Sequence, residues 1–69
     1  MKIKNEKLLE NFNVNQIVKG IVCGTFAILG FRVISDEWYA QLKCVNPDNH
    51  AQTSPGELAL PLENIKAIA

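Results

Sequence analysis

The chain has 69 residues, 48% of them hydrophobic, and seven basic side chains balance seven acidic ones for a formal net charge of zero. That length is one small domain, and a domain this size buries only about 60% of the surface its unfolded chain exposes. Neutrality excludes the bulk positive field that drives nucleic-acid binding, and no run approaches the ~20 apolar residues of a membrane helix.

The first ten residues carry lysines but no apolar stretch of signal-peptide length, so a soluble, cytoplasmic protein is expected. Residues 1–13 read as a short helical extension and residues 14–69 as the body. Leu8, Leu9 and Phe12 share one face of a short helix that Asn5 would cap and that ends near Asn11. A helix this short is marginal alone, so it must dock on the body.

From Gln16 to Ile34 the β-branched residues Ile17, Val18, Ile21, Val22, Ile28, Val33 and Ile34 join Phe26 and Phe31. Both classes favour strands, and Gly20, Gly24 and Gly30 mark bends or bulges. Two strands with a break near Gly24 to Ala27 are expected. Ser35-Asp36-Glu37 suits a tight turn. From Trp38 to Val45 the residues Trp38, Ala40, Leu42 and Cys44 alternate with Tyr39, Gln41, Lys43 and Val45, the period-two pattern of a half-buried strand. The Trp38 face is expected to point inward and the Tyr39 face outward.

Asn46 to Pro55 is the longest polar segment, and its prolines and turn formers exclude a regular strand through it. Pro55-Gly56 suits a type II turn. Glu57 to Leu60 then forms a strand, Pro61 starts a turn, and Leu62, Ile65 and Ile68 cap the core. Many short strands with little helix argue for an all-β barrel or sandwich, and barrel closure would hide the sheet edges.

This strand order, the long polar loop before the fourth strand, and the ending Leu58-Ala59-Leu60-Pro61-Leu62-Glu63-Asn64-Ile65 resemble the Src-homology-3-like (SH3-like) small barrels. The resemblance covers Gln16 to Ile68 and is architectural. It implies a mainly β, five-stranded SH3-like barrel with a short N-terminal helix and a 3-10 turn before the last strand. Barrels of this class bind peptides, bind nucleic acids or assemble into oligomers, so the fold alone names no function. Peptide-binding members use clustered aromatics. Here Trp38 and Tyr39 are adjacent and so point to opposite faces, which argues against a proline-rich groove. The plasmid-borne type II dihydrofolate reductases have a similar ending, with a Val-Gln-Ile-Tyr motif in the active strand. The matching Glu57-Leu58-Ala59-Leu60 lacks the Gln and the Tyr, so no catalytic residue carries over.

Chemistry has few candidates. His50, the single histidine, lies near Asp48 in the polar loop, where it is either a base or ligand or simply a solvated turn residue. Asp36-Glu37 sits in a turn and reads as solvated, whereas acid–base work needs carboxylates buried together. Cys23 and Cys44 read as reduced core thiols rather than a bridge. Neither a metal nor another cofactor is implied.

The expected contact surface is the exposed strip Tyr39, Gln41 and Lys43, with Arg32, Asp48 and His50 beside it. The first expectation is therefore a small non-catalytic binding or assembly module that meets a protein partner or a second copy of itself. The alternatives are a weak nucleic-acid binder using Lys19, Arg32 and Lys43, and a small oligomeric enzyme with a site between subunits.

Overall fold

The structure is a computed structural model that describes residues 3–21 and 24–68. Val22 and Cys23, given above as a strand residue and a core thiol, lie outside the described residues. Five strands form: β1 (Ile17–Gly20), β2 (Thr25–Ile34), β3 (Glu37–Cys44), β4 (Leu58–Pro61) and β5 (Ile65–Ala67). One 3-10 helix, Glu6–Asn11, precedes them, and a second, Leu62–Asn64, separates β4 from β5. Every ladder between strands is antiparallel, in the order β4-β3-β2-β1-β5. The mainly β architecture, the five strands and both helical turns match expectation.

Closure does not. β4 and β5 lie at opposite edges of the sheet, and no ladder joins them among the described residues. They are short, four and three residues, and each pairs with one neighbour, β4 with β3 and β5 with β1. The sheet bends instead. β2 pairs through Thr25–Ala27 with β1 and through Phe26–Ile34 with β3, and its register slips between Ile28 and Gly30, leaving Leu29 as an extra residue. Such a bulge bends the strand and adds twist, which lets one face wrap around a core.

The inner face holds Val18, Phe26, Ile28, Ala40, Leu42, Leu62 and Ile65, with Phe12 from the N-terminal segment. Leu8, Leu9, Phe31, Trp38, Cys44, Leu58 and Leu60 pack against them. Docking therefore holds a six-residue 3-10 helix that would fray alone. Cys44 is a free, half-buried thiol on this face. Ile68, expected to cap the core, is 49% exposed: β5 ends at Ala67, and neither Lys66 nor Ala67 is buried. Gly24 has φ 98°, and a Cβ there would lie 2.9 Å from the Phe26 ring. Glycine is thus required where the chain enters β2.

The far edge of β3 is completed by three separate segments. Near the turn, Lys4 bridges to Glu37 in parallel: the Lys4 N–H donates to the Asp36 carbonyl at 2.8 Å, and the Trp38 N–H donates to the Lys4 carbonyl at 3.0 Å. β4 covers Tyr39 to Leu42. Beyond it the Thr53 N–H donates to the Cys44 carbonyl, Val45 bridges Gln52, and the Asn46 N–H donates to the Ala51 carbonyl. So β3, an interior strand next to the short edge strand β4, has partners along both edges.

Two local expectations change. Asn5 occupies the N-cap position but makes no side-chain capping bond: it adopts the left-handed conformation (φ 69°), and its side-chain amide donates to Glu37 Oε2 at 2.9 Å. Glu37 is therefore half-buried and engaged rather than solvated. The turn itself is a two-residue hairpin connection, with Ser35 and Asp36 at φ 50° and 61°. Positive φ at both central residues matches the right-handed twist of the flanking strands.

Candidate functional site

Alternation places Tyr39, Gln41 and Lys43 on the outer face of β3, opposite the buried Ala40 and Leu42. Their register partners complete three rows across the sheet. Arg32, Tyr39 and Pro61 form the first, Gly30, Gln41 and Ala59 the second, and Ile17, Ala27 and Lys43 the third.

Each row has its own chemistry. In the first, exposed Arg32 lies beside half-buried Tyr39. The second is shallow, because Gly30 and Ala59 add almost no bulk on either side of Gln41. A Cβ built on Gly30 meets nothing within 4 Å, so this surface is open. Gln41 donates to Glu57 Oε1 at 3.0 Å, which holds its amide toward β4. In the third row half-buried Lys43 is the register partner of buried Ala27, and long lysine stems can cover apolar surface while the charge stays in water.

The sequence-derived residues fall into two groups. Tyr39, Gln41, Lys43 and Arg32 come together on one face. Asp48 and His50 do not join them; both are exposed in a compact hairpin over residues 46–51. That hairpin is built locally. Asn46 Oδ1 accepts from the Asp48 N–H at 2.8 Å, Asn49 Oδ1 from the Ala51 N–H at 2.9 Å, and the His50 N–H donates to the Asn46 carbonyl at 2.8 Å. These asparagine turns replace ladder bonds and explain how a segment so rich in turn formers is ordered. Val45, placed outside by alternation, is only 4% exposed. Residues Pro47, Thr53 and Ser54 border it and roof a cleft of about 610 Å³ whose other walls include Thr25, Phe26 and Cys44.

Sequence reasoning missed Glu57, which holds Gln41, and Lys66, which lies directly opposite Lys19 across the β1–β5 ladder. Alternation after buried Ile65 turns Lys66 outward, but nothing local to the sequence reveals that β5 pairs with β1. Among the described residues no group of three or more histidine, cysteine or carboxylate side chains is placed to hold a metal ion. No described helix is long and apolar enough to cross a membrane. Comparison with known protein families, characterised proteins and solved structures finds no match to this chain.

Proposed function

We propose that this protein is a small non-catalytic binding or assembly module of the SH3-like kind, which meets a protein partner or a second copy of itself through the outer face of β2, β3 and β4. Support for the SH3-like reading comes from the strand order β4-β3-β2-β1-β5, with a 3-10 turn leading into the last strand. The observation that carries the functional reading is the Arg32–Tyr39 register pair on an open sheet face, next to the shallow Gly30–Gln41–Ala59 row. Tyrosine and arginine are the side chains that concentrate binding energy at protein interfaces, and a shallow neighbouring row accepts a partner's projecting side chain.

Tyr39→Ala and Lys43→Glu test this reading. Each should abolish partner capture while the circular dichroism spectrum and the thermal transition stay those of the parent chain. Gly30→Val makes a second probe. It fills the shallow row without touching the core, and it should weaken capture with little change in stability. Undiminished capture by all three variants would sink the proposal.

A further inference from the structure

The outer face has a second region with a different composition. Lys19 and Lys66 are direct register partners on β1 and β5, and both are exposed. Thr25 lies across from Lys19 on the other side, and Lys43 sits one row further along, beyond Ala27. Strand geometry puts the Lys19 and Lys66 backbones about 5 Å apart and Lys43 roughly 12 Å from Lys19. The register neighbours of these lysines on β1 and β2, Ile17, Thr25 and Ala27, carry no charge, and Glu57, on the β4 side of Lys43, is engaged by Gln41. Among the described residues no ion pair involves Lys19, Lys43 or Lys66.

Like charges placed directly opposite on a ladder repel. A protein interface would not relieve that repulsion well, since lysine is depleted at such interfaces. Phosphates would: lysine, serine and threonine are the usual partners of a phosphodiester backbone. The row Lys66–Lys19–Thr25 also runs toward the cleft of about 610 Å³, whose lining joins the exposed Thr53 and Ser54 and the buried Thr25 to the apolar Phe26, Val45 and Pro47. Its volume and mixed lining suit one flat heterocycle held by apolar contact and a few polar groups.

We infer that Lys66, Lys19 and Lys43 form a track for the backbone of single-stranded nucleic acid, with the adjoining cleft receiving a base. The net charge of zero does not oppose this, because no acidic side chain is a register neighbour of Lys19 or Lys66, and Glu57, on the β4 side of Lys43, accepts from Gln41. Glu6 and Glu10 are on the first helical turn, Asp36 and Glu37 at the β2–β3 turn, Asp48 in the 46–51 hairpin, and Glu63 on the second helical turn. The inference shares Lys43 with the protein-contact reading, but it rests on the Lys19–Lys66 pair, whereas that reading rests on Arg32 and Tyr39.

The test is fluorescence anisotropy of a labelled oligothymidylate of about 15 nucleotides, a length near the upper end of the site sizes of small single-strand-binding domains, titrated with the full chain. At about 50 mM salt the oligonucleotide should bind, and the log–log slope against salt should be roughly −2, as three lysines facing a single strand require. Lys19→Glu should weaken binding about tenfold or more, because it replaces a phosphate contact by a repulsion. The double variant Lys19→Gln/Lys66→Gln, which only removes charge, should lose affinity too. Tyr39→Ala should stay near the parent affinity, so the two readings can fail separately. Absence of binding at low salt, or parent-like binding by both lysine variants, overturns the inference. Displacement of the oligonucleotide by poly-L-glutamate at equal charge also overturns it, and assigns the track to an acidic protein segment.

Discussion

The two ends of the β2–β3 hairpin handle charge in opposite ways. At the turn, Glu37 accepts from Asn5, and Lys4 stands 3.9 Å from Glu37 and 3.6 Å from Glu63. There, charge fastens the N-terminal strand segment to the sheet. At the far end Lys19 and Lys66 face each other with no acid among their register neighbours, and Lys43 shares their face. Charge serves folding at the first end and is left unspent at the second. The contrast shows why a net charge of zero is a poor guide to surface electrostatics: a sum over the chain says nothing about which faces the charges occupy.

The largest effect that sharpens this contrast is expected at the turn. Glu37→Ala removes the acceptor of the part-buried Asn5 amide and one partner of Lys4. Leaving that amide unsatisfied costs about 1–2 kcal/mol. Urea unfolding should show a lower midpoint with an unchanged slope. A variant as stable as the parent would mean that the N-terminal segment is not fastened there.

At the lysine end the expected sign is reversed. Lys19→Glu turns a facing like-charge pair into an opposite-charge pair, so it should stabilise the fold by about 0.5 kcal/mol. This gain should shrink as added salt screens the exposed pair. A destabilised Lys19→Glu variant would show that the two lysines do not repel in the folded state. The smallest effect belongs to Lys4→Ala. Its side chain is 62% exposed, and exposed ion pairs contribute little, so a change of about 0.3 kcal/mol or less is expected. A larger loss would shift the fastening role from the Glu37–Asn5 hydrogen bond to the Lys4 ion pairs.

Much of the fold was legible because it depends on short-range pattern. Alternation from Trp38 to Cys44 placed Ala40 and Leu42 inside and Tyr39, Gln41 and Lys43 outside, since a strand has a fixed period of two. Pro61 and the apolar spacing after it marked the 3-10 turn and the buried Leu62 and Ile65. Pro55-Gly56 marked a turn in which Gly56 takes φ 92°. The errors have a common origin. Asn5 stands at the N-cap as its type suggests, but its side chain bonds Glu37, 32 residues away, instead of the helix. Val45 obeyed alternation yet became buried, because the 46–54 segment folds back beside it. Ile68 had the right spacing for the core, but β5 stopped one residue short of it.

The candidate surface divides in the same way. Tyr39, Gln41 and Lys43 were visible as one strip, whereas their row partners were not. Arg32 reaches Tyr39 only through the β2–β3 register, which the bulge at Leu29 resets. Without that extra residue every β2 side chain beyond it would pair one position away and face the other side of the sheet.

By itself, then, the sequence determined which segments extend, where they turn and which side of each strand is apolar, because these depend on neighbours within a few residues. Only the tertiary structure decided that the sheet stays open between β4 and β5, that three separate segments complete the edge of β3, and that Lys19 faces Lys66. Those outcomes depend on pairings between residues far apart in the chain. Such pairings are selected by packing and register over the whole sheet, and no local pattern encodes them.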